Sequence, residues 1–160
     1  MRVGAILGLD GREWVRVAMA TTADENPNVA AVRRMWAAYQ ARGLVGILEF
    51  AAPEAEWRPF SARGRVFAST AEYRSYLEDV GPRDDIVEAT MFELHADGDC
   101  VVVSGRLRLR GPDGVLDNEM HWVHRFRDGM IIWTASYPDL STALEAAGLR
   151  PADRVQASEP

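Results

Sequence analysis

A chain of 160 residues, 48% apolar and 26% charged, suits one globular domain able to bury about 70% of its extended-chain surface. Its formal net charge of −6 argues against a nucleic-acid partner, because neutralising phosphates needs a basic surface. All 18 basic residues are arginine, which excludes a lysine Schiff base or lysine general base, and the single cysteine, Cys100, excludes an intramolecular disulfide and a cysteine-based zinc cluster.

The first 27 residues differ in character from the rest of the chain and are taken as an N-terminal extension. "RVGAILGLDGREWVRVAM" fits a hairpin turning at Asp10-Gly11; alternatively Met19 is the natural start and the earlier residues lie upstream of it. "TTADENPN" reads as a flexible leader in either case. "VGAILGL" meets "DGRE" instead of a small-residue cleavage site, and no apolar run approaches the roughly 20 residues of a membrane helix. The expected location is the cytoplasm.

A domain is expected over 28–149. "NVAAVRRMWAAYQARG" opens with an asparagine cap and sets Val29, Val32, Trp36 and Tyr39 on one helical face, with Gly43 as the stop. "LVGILEFAAP" predicts a short second helix ending before Pro53, and "EAEWRPF" a brief strand. "STAEYRSYLEDVG" opens with the capping box Ser69-x-x-Glu72, carries Tyr73, Tyr76, Leu77 and Val80, and stops at Gly81.

The period then changes. "IVEATMFELHA", "CVVVSGRLRLR", "VLDNEMHWVHRFR" and "MIIWTASY" are strand-like runs separated by "DGD", "GPDG" and "DG", short turns that demand antiparallel pairing. "DLSTALEAAG" closes the domain as a helix capped by Asp139 and stopped by Gly148, leaving 150–160 as a polar tail. Helices followed by an antiparallel meander give an α+β fold, and strands of about a dozen residues are long enough to curl around the helices. The hollow left between them is a usual place for a small ligand.

Two of the three histidines, His121 and His124, stand three apart in "HWVHRFRDG". Strand side chains alternate, so the two rings point to opposite faces and cannot chelate one metal. Met120, Trp122, His124 and Phe126 form the core-like set, which sends His124 inward and His121 toward solvent or a partner subunit; His95, beside "ADGD", is expected to be exposed. An inward His124 is either a hydrogen-bonded core imidazole or a general base or donor facing a ligand. In "VVVSGRLRLR" the apolar residues share one face and Ser104, Arg106, Arg108 and Arg110 the other.

These patterns resemble the nuclear transport factor 2-like superfamily. "VAAVRRMWAAYQARGLVGILEFAAPEAEWRP" is similar to its opening and "VHRFRDGMIIWTASYPDLSTALEAAGL" to its closing hairpin and helix, with the flavour of the SnoaL-like polyketide-cyclase group. The resemblance covers about Asn28 to Leu149. It implies a cone-shaped, curved antiparallel sheet wrapped around N-terminal helices, a cystatin-like α+β barrel with a deep pocket, and often a homodimer formed through the outer sheet face.

It also allows a residue-by-residue comparison. The tyrosine and aspartate of steroid-isomerase relatives match Met35 and Pro59. The arginine of limonene-epoxide-hydrolase relatives matches Arg106, while the aspartates beside it match Arg108 and Ser136, so that chemistry lacks its carboxylates. In a polyketide-cyclase arrangement His124 and Ser136 remain as candidates.

The expectation is therefore a pocket that binds a small hydrophobic or aromatic metabolite. Trp36, Tyr39, Trp57, Trp122 and Ser136 would contact it, with no metal or organic cofactor. If the protein is an enzyme, a cyclase- or isomerase-like proton transfer would use His124, with Arg106 steadying an oxyanion once a bulge near Gly105 re-aims it. The alternatives are a non-catalytic ligand-binding or dimeric interaction module and, third, a transport adaptor.

Overall fold

The computed structural model describes residues 26–80, 85–111 and 114–149, together with two short segments, Ile6–Leu7 (β1) and Glu13–Trp14 (β2), whose backbones pair antiparallel. The Asp10-Gly11 turn, Met19, most of the leader, the Gly81 stop, Pro112-Asp113 and the tail from Arg150 lie outside the described residues.

Helix α1 spans Pro27–Arg42 and begins earlier than the sequence pattern implies. Asn26 is the cap, its side chain accepting from the Asn28 N–H at 2.9 Å, and Pro27 occupies the first turn, where a missing N–H costs nothing. The leader thus ends as structure. Asn26 and Asn28 both donate to the Gly98 carbonyl at 3.2 Å, fastening the helix start to a strand turn. Gly43, with φ 69°, ends α1, and α2 (Leu44–Leu48) begins at the next residue.

Strand β3 (Ala51–Arg58) comes next, with Pro53 tolerated because β3 lies at a sheet edge and its register breaks between Ala51 and Glu56. A single 3₁₀ turn, Phe60–Ala62, leads toward α3 (Thr70–Val80). The expected box starts α3: Ser69 Oγ accepts from the Glu72 N–H at 3.1 Å, while the Glu72 carboxylate reaches one residue further back, to the Ala68 N–H at 2.9 Å.

The meander is present as β4 (Asp85–Asp97), β5 (Cys100–Gly111), β6 (Gly114–Arg127) and β7 (Met130–Tyr137). Its antiparallel ladders follow chain order, and β3 adds to β7 in parallel, giving the order β3-β7-β6-β5-β4. The four-stranded meander is antiparallel as expected, and β3 joins it in parallel because β3 and β7 are far apart in the chain, so no hairpin constrains their direction. The sheet is curved and does not close into a barrel.

Each face carries its own core. On the concave side Val101, Val103, Phe126 and Ile131 pack with Ala31, Val32, Met35 and Trp36 of α1. On the convex side helix α4 (Leu140–Ala147) lays Ala143 and Leu144 over Cys100, Val102 and Val123. Asp139 caps α4 by accepting from the Thr142 N–H at 2.8 Å, and Gly148 ends it at φ 74°. The single cysteine is accordingly a small buried side chain, its thiol pKa raised chiefly by burial.

Gly105 sets the sheet's bend. A Cβ there would fall 1.9 Å from the Thr90 carbonyl oxygen and 2.9 Å from Trp122, so only glycine lets β4 approach so closely. Of the two register irregularities of the β4–β5 ladder, one sits opposite it in β4, between Met91 and Glu93, and β5 itself keeps strict alternation.

Candidate functional site

Curvature leaves a cavity of about 90 Å³ between the concave face and the helices. Its floor is set by period-2 geometry: Leu107 and Leu109 on β5, Trp122 and His124 on β6, Thr134 and Ser136 on β7. Met35, Trp36 and Tyr39, within about one turn of α1, form the opposite wall, with Leu44 and Ile47 of α2 beside them. Trp57, Arg58 and Pro59 close the third side, backed by Tyr73 of α3. Phe60, which is 36% accessible, marks the mouth.

The aromatic rings brace one another. Trp36 meets Trp122 edge-on with centroids 5.3 Å apart and Tyr39 at 5.5 Å, while Trp57 stacks on Tyr73 at 4.7 Å. Trp57 Nε1 donates to Thr70 Oγ1 at 3.2 Å, and that hydroxyl donates on to the Ala52 carbonyl at 2.7 Å. With its polar edge satisfied, Trp57 offers the cavity an apolar surface. Burial, with Tyr76 adding to it, raises the Tyr73 phenol well above its ordinary pKa and keeps it protonated.

His124 is the polar focus. It is buried, its Nδ1 lies 2.9 Å from Thr134 Oγ1, and its Nε2 has no hydrogen-bond partner among the described residues. Burial alone pulls its pKa down to about 4, so the ring is neutral at neutral pH. If the Thr134 hydroxyl donates to Nδ1, Nε2 carries a proton to give; if it accepts, Nε2 offers a lone pair. Either way one buried nitrogen of a cavity-lining residue lacks the partner that such atoms normally have.

The structure thus brings together His124, Trp36, Tyr39, Trp57, Trp122 and Ser136 and leaves Arg106 out. Arg106 lies on the convex side, more than half exposed, its Nε 2.6 Å from Asp117 Oδ1. No bulge re-aims it, because the irregularity belongs to β4; the alternation that buries Leu107 turns Arg106 outward, where it cannot steady an oxyanion in the cavity.

His121 and His95 also depart from expectation. Both sit on the convex face, as alternation requires, yet they are 2% and 7% exposed. His121 Nδ1 is 2.9 Å from Ser104 Oγ and its Nε2 3.8 Å from Glu119; His95 Nε2 is 3.4 Å from Glu93 but, like His124 Nε2, makes no hydrogen bond among the described residues. Burial lowers the His121 pKa, while Glu119, Asp139 and Glu93 work against that shift. Among the described residues no cluster of histidine, cysteine and carboxylate side chains is arranged to hold a metal.

Sequence reasoning missed Arg58, Tyr73 and Thr134 in the cavity. Thr134 was within reach: it is two residues from Ser136 on a strand, hence on the same face. Arg58 was not, since it joins the lining at the end of β3 while its side chain follows alternation to the other face, where Nε donates to Glu56. Met35 and Pro59, which match the catalytic tyrosine and aspartate of the steroid isomerases, line the cavity with apolar groups.

Residues 32–134 match the family model described as the SnoaL-like domain. The chain belongs to the SnoaL-like family, within the nuclear transport factor 2-like superfamily. Among solved structures it is similar to a nuclear transport factor 2-like protein of unknown function from Burkholderia pseudomallei, with 22% identity over 77% of this chain and 98% of that one and a TM-score of 0.61. TerC co-crystallised with polyporic acid is equally similar, with 22% identity, 76% and 98% coverage and a TM-score of 0.60. A SnoaL-like polyketide cyclase assignment from Mesorhizobium loti shares 10% identity over 68% of this chain and 97% of that one, with a TM-score of 0.59. No curated protein matches the chain. At these identities the structural likenesses establish the fold alone, and this SnoaL-like domain's chemistry rests on its own residues.

Proposed function

We propose that the domain binds a small hydrophobic or aromatic metabolite in the cavity between its sheet and helices. The observation that carries this reading is the buried His124 Nε2, unpartnered in a wall otherwise made of braced aromatic and aliphatic side chains. Leaving such an atom unpaired costs about 1–3 kcal/mol, a cost that a ligand hydroxyl or carbonyl would relieve. A neighbour of the same fold crystallised with polyporic acid is consistent with that use of the fold.

The volume narrows the ligand. A cavity near 90 Å³ is on the scale of one small ring, below the hundreds of Å³ that drug-sized ligands occupy. The same residues favour binding over proton abstraction. An imidazole with a pKa near 4 is a weak base at neutral pH, and no carboxylate lines the cavity among the described residues. A cyclase- or isomerase-like reaction stays as the second reading because a strongly perturbed titratable group in a cleft is also how acid–base sites look.

Native mass spectrometry of the purified protein, followed by titration of a bound compound into wild type and His124→Ala, tests both readings. Weaker binding in His124→Ala without turnover in either protein supports the binding role. Turnover in wild type that disappears in His124→Ala supports catalysis instead. Unaltered affinity in the variant would remove His124 from the site. The same spectra report whether the protein is the homodimer this reading includes.

A further inference from the structure

We infer that the ligand is elongated: its ring sits in the cavity and an unbranched apolar tail leaves over Leu109 to lie on Leu116. This rests on the cavity being a ligand site and adds the part of the ligand outside it. Leu107 and Leu109 of β5 line the cavity, and Leu109 is in register with Leu116 of β6. Directly paired residues share one face of a sheet, so Leu116 carries the concave face past the enclosed volume. The β5–β6 ladder keeps its register unbroken there, which fixes that placement. Leu107 is buried and Leu109 half-buried, so the lining opens to solvent in the direction of Leu116.

The strip has a course and an end. Gly114–Glu119 of β6 are exposed throughout, and Leu116 keeps 36% of its surface accessible, so this part of the concave face is uncovered among the described residues. Asn118, opposite Leu107, gives the strip a polar border. Beyond Leu109 and Leu116 the next pair on this face is Gly111 with Gly114, which have no side chains to offer. What remains is an apolar path from Leu109 to Leu116, continuous with the cavity. Two leucines fall far short of the roughly 800 Å² that a stable protein partner covers on each side, but they suit one hydrocarbon chain. Steric logic agrees: a single ring fills the cavity of about 90 Å³, so a longer apolar substituent has to continue outside it.

The test is calorimetry with phenol and para-alkylphenols from methyl to hexyl, each compared with phenol in the same protein: wild type, Leu116→Gln and Val115→Gln. Val115 adjoins Leu116 in the chain, is exposed and lies on the opposite face, so it serves as the control. In wild type the affinity relative to phenol is expected to rise about twofold per carbon, less than full burial gives because one side of the tail stays in water. The rise levels off after about four carbons, the length that spans the roughly 5 Å between paired residues. Leu116→Gln flattens the series, and Val115→Gln leaves it rising. A flat wild-type series with phenol bound overturns the proposal and leaves the cavity as a site for the bare ring. So does a rise that survives Leu116→Gln, which puts the tail elsewhere, or one lost equally in Val115→Gln, which makes the hairpin as a whole responsible. A changed subunit count in native mass spectra of Leu116→Gln would assign the strip to a second copy and overturn the proposal as well. If neither phenol nor any alkylphenol binds the folded protein at millimolar concentration, the cavity is not a site for ring compounds and both readings fall together.

Discussion

The two faces of β6 carry the same side chain in opposite circumstances. His121 on the convex face and His124 on the concave face are both buried and each meets a hydroxyl at 2.9 Å. His121 also has Glu119 near its second nitrogen and acidic neighbours that offset the effect of burial. His124 has burial as the sole cause of its shift and nothing at Nε2. The difference shows that a buried imidazole does not by itself mark a site. An unpartnered nitrogen does not mark a site either, since His95 Nε2 on the convex face also lacks a hydrogen bond; what sets His124 apart is that it lines the cavity.

The largest way to break the comparison is to destroy the concave face alone. Gly105→Ala places a methyl group against the Thr90 carbonyl and Trp122, and neither a strand backbone nor a buried indole yields cheaply. A loss of about 3 kcal/mol or more is expected in urea denaturation, at the upper end of overpacking costs, because the clash is with main chain. Ligand binding would fall with it, while the α4 contacts on the other face have no direct part in the clash. A loss below about 1 kcal/mol would show that β4 can move away from β5 there, and that the cavity is less rigidly shaped than its contacts imply.

Acid provides the second separation. Unfolded, His124 takes up a proton near pH 6.5; folded, it refuses one until about pH 4. Between those values the unfolded state binds more protons, so stability falls as pH falls. His124's contribution is whole above pH 6.5 and drops by about 3 kcal/mol by pH 4, at about 1.4 kcal/mol per pH unit. The stability difference between wild type and His124→Gln should change across this window by that amount. His121→Gln should change the slope less, because carboxylates on the convex face counter the effect of burial on His121. A pH-independent difference for His124→Gln would mean that water reaches the ring.

Much of this contrast was legible in the sequence, and its limits are physical. Alternation correctly sent His124 and Trp122 inward and His121 outward, because a strand allows only two directions. It could not say that His121 and His95 are buried on their own side, since outward means exposed only if nothing lands there, and α4 packs on that face. For Arg106 the family match pointed into the cavity and alternation pointed out; alternation prevailed because the expected bulge lies in β4. The helix start was misplaced by two residues, as Asn26 and Asn28 both flank Pro27 and only geometry distinguishes cap from first turn.

The smallest effects compare the two hydroxyls. Ser104→Ala strips His121 Nδ1 of its partner, and Thr134→Val does the same to His124 while keeping the shape of the side chain. Each should cost about 1–2 kcal/mol, the usual consequence of orphaning one buried polar group. Their functional consequences should diverge. Thr134→Val frees the His124 proton to settle on either nitrogen, so nitrogen-15 shifts of the ring should move toward a tautomeric mixture and ligand affinity should change with them. Ser104→Ala should alter the shifts of His121 and leave affinity alone, because Ser104 and His121 lie across the sheet from the cavity. Equal effects of the two variants on ligand affinity would show that the sheet transmits changes between its faces, and a site defined by the concave lining alone would then be too small.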